Sequence, residues 1–159
     1  FYVAEKSKVK TIKGPDDISG LKVIVGSGTN QEKVLLDWIE DNKKKGLPSG
    51  QALYYDDGAS ASLALQSGRV DALFGPNVAY AWQAVNGAKI RLAGTALGGG
   101  TRPAELGVTL KKGSGLVDAV QTALNGVIQT GEYQKVLARW GTQAEAIQHS
   151  AINPPGLGD

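Results

Sequence analysis

The sequence predicts an α/β fold with a mostly parallel sheet. Up to about residue 110, apolar strand-like runs alternate with segments of helical period, the pattern of strands crossing over through helices. Glycine or proline stands at most of the changes of period. The last third breaks the alternation: two helical stripes follow one another with no strand between them.

Taken in order, "FYVA" opens the chain with β-favouring residues. "GPDDISG", Gly14 to Gly20, reads as a turn with a short helix. "LKVIVG" is a continuous apolar run, as in a buried strand. Thr29 and Glu32 then fit a capping box, a hydroxyl at the N-cap with a carboxylate three residues on. Val34, Leu35, Trp38 and Ile39 repeat at helical spacing, so a helix is expected from about Asn30 to Lys44, ending near Gly46. "ALYYD" is a second strand and "ASASLALQSG" a short helix stopped by Gly68. "RVDALFG" is a third strand. Pro76 suits the first turn of the next helix, where its missing N–H is no loss. Val78, Ala81, Trp82 and Val85 line one face of that helix, and Gly87 ends it. "KIRLAGT" is a fourth strand, "GGGTRPAE" a loop, and "LGVTLKKGSG" a fifth strand and turn. Leu116, Val120, Leu124 and Val127 form one late stripe. Tyr133, Val136, Leu137 and Trp140 form another at i, i+3, i+4, i+7. The tail "INPPGLGD" should be irregular, and no internal repeat is visible.

Composition excludes several functions. The chain has 159 residues, 42% hydrophobic and 20% charged, with a net charge of +2. Its basic residues are scattered, without the basic stripe interleaved with aromatics that nucleic acid favours, so no nucleic-acid partner is expected. Lys43, Lys44 and Lys45 read as the solvated end of a helix, where its dipole favours cations. The absence of cysteine removes disulfides, zinc–thiolate sites and thiol chemistry. The one histidine, His149, lies in a polar stretch near the end and is expected on the surface, which argues against a Ser-His-Asp triad. No run approaches the roughly 20 apolar residues of a membrane span, and no signal peptide is visible. The chain begins at Phe1 and contains no methionine, so a mature form or a fragment is expected.

The strand–glycine–helix stretch "KVIVGSGTNQEKVLLDWI" invites a nucleotide reading, which fails. A phosphate loop needs Lys-Ser/Thr after its glycines, and Asn30-Gln31 follows here. A dinucleotide fingerprint needs a third glycine where Gln31 stands, and Asp56 and Asp57 come later than the usual spacing of about 20 residues. The physics of the turn still holds: a helix N-terminus attracts anions such as carboxylates. Ser27 and Thr29 add hydroxyls, and Gly28 lets a ligand approach the backbone. The alternative is that Thr29 only caps the helix and the glycines only make the turn. "FGPN", Phe74 to Asn77, occupies the same setting of strand end, turn and helix start. If the two strands are parallel neighbours, both helix N-termini open on one carboxyl edge, where open α/β folds bind ligands.

Three stretches in order resemble one family. "DDISGLKVIVGSGTNQE" is similar to the "dL-x-G-k-x-V-x-V-x-x-G-T-t-x-e" signature of solute-binding proteins of polar amino-acid ABC transporters. "ALQSGRVDALF" resembles their "aL-x-x-G-r-v-D-a" motif, and "LGVTLKKGSGLVDAVQTALNGVIQTGEYQKVLARWG" resembles their C-terminal block. The resemblance covers roughly residues 10 to 141. It implies the type II periplasmic-binding-protein fold, two α/β lobes clamping a small polar solute and joined by crossing strands. Residues 1–109 would be the complete second lobe with its hinge strands. Residues 110–159 would be the C-terminal helical segment of the first lobe, whose main part would precede Phe1.

The resemblance further implies an extracytoplasmic protein, periplasmic or extracellular, with a lipid anchor at the cell surface as one form, that delivers its solute to an ABC transporter permease. No cofactor and no catalysis are implied. Ser27, Gly28, Thr29 and Asn30 match the turn that receives the solute's α-carboxylate, and Gly26 matches a variable position that contacts the solute side chain. An arginine that pairs with the carboxylate usually comes from the first lobe, so Arg69, Arg91, Arg102 and Arg139 are not assigned to it. The family's aspartate for the α-ammonium is replaced: Gly75, Pro76 and Asn77 fill that turn, and Asn77 brings no charge. Asp71 is expected to be structural. Two other functions keep the same fold: a ligand-sensing domain of a receptor, and a small dehydratase, for which Asp56, Asp57, Glu105 and His149 are the available acids or bases. The two late stripes are expected to be covered, by the second lobe, by a tail exchanged with another copy or by a separate chain.

Overall fold

The structure, a computed structural model, describes residues 1–156. The chain forms two compact units, Phe1–Pro103 and Ala104–Asp159. The division falls slightly before the boundary at 109/110 expected from the sequence.

The first unit is a five-stranded sheet between helices. Strand β1 (Tyr2–Ala4) is followed by a 3-10 turn (Pro15–Ile18), strand β2 (Lys22–Val25) and helix α1 (Asn30–Lys44). Strand β3 (Gln51–Leu53), helix α2 (Gly58–Gln66), strand β4 (Ala72–Phe74), helix α3 (Asn77–Val85) and strand β5 (Ile90–Leu92) complete it. The sheet order is β3-β2-β4-β1-β5. β2 pairs in parallel with both β3 and β4. β1 runs antiparallel between β4 and β5. Four strands therefore point one way and β1 the other, which makes the mostly parallel sheet a mixed one.

The apolar runs have a direct physical reading. Successive strand residues face opposite sides of a sheet, and here both sides are covered. Phe1, Val3, Val23, Val25, Ala72 and Phe74 face α1, with Val34 and Leu35 packed on them. Tyr2, Ile24, Leu73 and Ile90 face the other way, onto Ala64 and Leu65 of α2 and Tyr80 of α3. On the first side the rings of Phe1 and Phe74 stack at 3.9 Å.

Helix α1 has the bounds the sequence predicts. Its C-terminal lysines are solvated and paired, Lys45 with Asp16 at 2.7 Å. Asn42 is buried on the same helix and donates from Nδ2 to the Pro15 carbonyl, tying the 3-10 turn to α1.

Helix α3 buries a face one residue round from the Val78–Val85 line. Tyr80, Ala81 and Ala84 turn inward with Asn77, whereas Val78, Trp82 and Val85 are exposed. Both sets satisfy i, i+3, i+4, i+7, because this helix is apolar nearly all round. Small Ala81 and Ala84 allow a closer approach to the sheet than Val and Trp would.

The second unit contains helix α4 (Val117–Gln129), helix α5 (Glu132–Arg139) and a 3-10 turn (Gln143–Glu145). The two helices form a hairpin around Gly131. Among the described residues this unit has no strand, which corrects the fifth strand expected at "LGVTL". A strand exists only by pairing its backbone, and no other strand lies in this unit. Val120, Leu124, Tyr133, Leu137 and Trp140 are half-buried, and Leu116, Val127 and Val136 are exposed. The expected full cover of the two stripes is therefore not supplied within the unit. The Asn125 side chain holds the tail, its Oδ1 accepting from the Ser150 amide at 2.7 Å. The tail is irregular through Gly156, and residues 157–159 of "INPPGLGD" lie outside the described residues. His149 is exposed, as expected.

Candidate functional site

Two turns meet at the carboxyl edge of the sheet. Val25, the last residue of β2, lies in register with Phe74, the last residue of β4. The parallel pairing therefore sets Gly26–Asn30 beside Gly75–Asn77, and α1 and α3 both begin there. The first amides of each helix have no intrahelical acceptor, so both helices direct partial positive charge to the same edge.

The first turn is built by its own side chains. The Thr29 hydroxyl donates to the Gly26 carbonyl at 2.7 Å and accepts from the Glu32 amide at 3.1 Å. The Glu32 carboxylate returns to accept from the Gly28 amide at 2.6 Å. The capping box is thus present, with the carboxylate reaching one residue further back than the N-cap itself. Gly28 has φ +73°, a left-handed conformation that strains any side chain. Gly26, Ser27, Gly28, Thr29 and Asn30 are all exposed. The Glu32 carboxyl is held below its usual range, first by a hydrogen bond from the Tyr54 side chain and then by the Gly28 amide. The same contact raises the Tyr54 hydroxyl above its ordinary value.

The second turn is tied to the sheet. Pro76 stands at the N-cap of α3, one residue before the helix begins. Asn77 is half-buried, and its Oδ1 accepts from the Tyr2 hydroxyl at 2.8 Å. Tyr2 belongs to β1, next to β4, so this bond anchors the start of α3 on the sheet. The Tyr80 ring closes over Gly75, where an added Cβ would lie 2.9 Å from it.

Other candidate residues have structural work. The Asp71 carboxylate accepts from the Lys22 amide at 2.8 Å and locks the starts of β2 and β4 together. Asp57 caps α2, accepting from the Ser60 amide and hydroxyl. Its carboxyl is lowered by those bonds, the amide first. The Arg91 guanidinium donates to the carbonyls of Glu5, Ser7, Val9 and Lys10, the shortest at 2.6 Å to Val9. Arg139 lies over the Trp140 ring. Arg69 lines a surface cleft of about 360 Å³ with Tyr54, Tyr55, Asp56, Asp57 and Ser60.

The place of Tyr54 at this edge, 22 positions after Glu32 in the chain, is not legible in the sequence. It follows from strand register. Ile24 pairs with Leu53, so the next residues, Val25 and Tyr54, reach the edge together. Among the described residues no cluster of His, Cys, Asp and Glu could hold a metal ion, and no helix is long and apolar enough to cross a membrane.

No protein-family model matches the chain. Individual proteins do. It is 32% identical over 139 residues to the L-cystine-binding protein TcyJ of Escherichia coli, covering 87% of the chain and 48% of that protein. It is 30% identical over 106 residues to the arginine-binding protein ArgT of Corynebacterium glutamicum, covering 66% of the chain and 34% of that protein. Among solved structures, it superposes on the probable amino-acid ABC transporter extracellular-binding protein ytmK of Bacillus subtilis with a TM-score of 0.68. That match has 24% identity over 90% of this chain and 59% of the other. The chain spans about half the length of the first curated relative, 48%. The ordered motifs, the mixed sheet with its two edge turns and these relatives agree: the chain belongs to the solute-binding proteins of amino-acid ABC transporters and has their type II periplasmic-binding-protein fold.

Proposed function

We propose that this chain supplies one face of a site for a small polar solute, an amino acid or a related compound, outside the cytoplasm, and that the full-length protein hands the solute to an ABC importer. The observation that carries the reading is the register of Val25 with Phe74, which brings two helix N-termini to one sheet edge. The proposed contacts are Gly26, Ser27, Gly28, Thr29 and Asn30 from one turn and Gly75, Pro76 and Asn77 from the other. The solute's carboxylate would lie at the N-terminus of α1. The half of the site facing these turns would come from a first lobe. The apolar stripes of α4 and α5 would pack on that lobe's sheet. A permease partner, lipid anchoring and a periplasmic or extracellular place belong to the same proposal. Binding without turnover fits the use of Asp57 as a helix cap.

Calorimetry with L-cystine and L-arginine, the solutes named for two relatives, tests the first turn. Thr29→Ala in the full-length protein should weaken binding of whichever solute the protein takes. One lost hydrogen bond to a charged group is worth about 1.5–3 kcal/mol, a factor of roughly ten or more in affinity. The substitution also removes a cap worth about 1 kcal/mol of stability, so melting is followed alongside. Unchanged affinity with lowered melting would reduce Thr29 to a cap.

Asn77→Asp tests the second turn. The Tyr2 hydroxyl can donate to a carboxylate as it does to the amide oxygen, so α3 stays anchored. An α-ammonium at this position would gain a charge-assisted bond, roughly twice as strong as a neutral one. Amino acids should then bind several-fold more tightly, whereas a solute without an ammonium should bind no better. Unchanged affinity for every solute would remove Asn77 from the site.

A further inference from the structure

Strand β3 is an outer strand of the sheet and lies on the opposite side of β2 from β4. Its last residue, Leu53, pairs with Ile24, so Tyr54, Tyr55 and Asp56 leave the sheet beside Val25 and the turn that follows it. A solute held by the turns of β2 and β4 has this third stretch of chain on the same edge. The stretch borders the cleft of about 360 Å³, which Leu63 and Arg69 also line. That volume falls within the range of small-molecule sites, roughly 300–1,000 Å³. Two opposite charges line the cleft without partners. Asp57 uses its carboxylate to cap α2. Among the described residues, however, the side chains of Asp56 and Arg69 make no hydrogen bond and no ion pair, with each other or with any other group. Both are exposed, as are the rings of Tyr54 and Tyr55 and the side chain of Leu63, so charge and apolar surface are open together.

A free carboxylate and a free guanidinium in one cleft are complementary to an α-amino-acid head. Its ammonium suits Asp56, and its carboxylate suits the planar fork of Arg69. A purely cationic end would be drawn to Asp56 and repelled by Arg69, and a purely acidic end the reverse. We propose that the cleft is a distal subsite for a second zwitterionic head, so that the solute is a two-headed amino acid. One head lies at the turns of β2 and β4, an apolar link crosses Tyr54 and Tyr55, and the other head is held by Asp56 and Arg69. The inference rests on the solute-binding reading of the two turns.

The experiment is calorimetry of the full-length protein with three probes. L-Cystine has two heads joined by a short apolar link, S-methyl-L-cysteine has one head with a methylated sulfur, and L-arginine has one head with a cationic end. L-Cystine should bind roughly tenfold or more tightly than either of the others, the effect of one added charged contact. Asp56→Asn and Arg69→Gln should each lower L-cystine affinity about five- to tenfold, a bond to a charged group weakened by solvent at an exposed site. Both should leave S-methyl-L-cysteine affinity within about twofold, and both should melt like the parent, since neither side chain is bonded in the fold. L-Arginine or S-methyl-L-cysteine binding as tightly as L-cystine, absence of L-cystine binding, or unchanged L-cystine affinity in either variant would overturn the subsite. The two readings fail separately. If Thr29→Ala weakens binding of a one-headed amino acid while L-cystine is indifferent to Asp56→Asn and Arg69→Gln, the turns stand and the subsite falls. If Thr29→Ala leaves every bound solute unaffected, the reading of the turns fails first.

Discussion

Gly94→Ala is expected to destabilise the first unit by about 3 kcal/mol or more, enough to leave much of it unfolded. The reason is a close crossing of backbone on backbone. A Cβ at Gly94 would lie 1.7 Å from the Ile12 carbonyl oxygen and 2.7 Å from its carbonyl carbon. Ile12 is wholly buried, and its amide donates to Ala93 at 2.8 Å. No side-chain rotation can relieve a clash with a carbonyl, so the segment after β5 would have to leave the Ile12 strand of chain. That would open the core made by Phe1, Val3, Ile12 and Ala93. Gly58→Ala is the control, because nothing lies within 4 Å of a Cβ there. It should stay within about 0.5 kcal/mol of the parent. Urea unfolding followed by tryptophan fluorescence gives both values. Equal midpoints for the two variants would mean that the crossing at Gly94 is looser than described.

Arg91→Lys should cost about 2–3 kcal/mol while leaving solute affinity unchanged in the folded protein. Arg91 is half-buried on β5, and its planar guanidinium reaches four backbone carbonyls between Glu5 and Lys10. That segment carries the chain from β1 toward the first 3-10 turn and has little regular structure of its own. An ammonium is a point donor and cannot span the same carbonyls. The loss should appear in melting and in faster amide exchange along residues 5–10. A large fall in solute affinity without a fall in melting would instead make Arg91 a ligand residue.

The strands and helices of the first unit were legible because each signal had a single physical cause. Val23–Val25 in "LKVIVG" and Ala72–Phe74 in "RVDALFG" are apolar because their strands are covered on both faces. Helix α1 shows its start in Thr29 and Glu32 and its end before Gly46. The two candidate turns were legible for the same reason: each is the break between a strand and a helix.

What was not legible depends on partners. "LGVTL" has strand composition, but its state is set by whether another strand pairs with it. In α3 the periodicity allowed two faces one residue apart, and the choice of Tyr80, Ala81 and Ala84 comes from how near the helix can approach the sheet. The direction of β1 is likewise invisible in "FYVA", since strand propensity carries no polarity. Asn77 stands where the sequence placed it, yet its bond to Tyr2 requires β1 to lie beside β4. Tyr54 belongs to the same class, because its place at the sheet edge beside Val25 exists only in the β2–β3 register.

The central claim is that the turns at the ends of β2 and β4 form one solute-binding edge. The most direct measurement is an amide NMR titration of the full-length, isotopically labelled protein with L-cystine and with L-arginine. The account predicts that, for the solute that binds, the amides of Ser27, Gly28, Thr29 and Asn30 shift together with Gly75 and Asn77 and saturate on one binding curve. Saturable shifts that leave both turns untouched would contradict it.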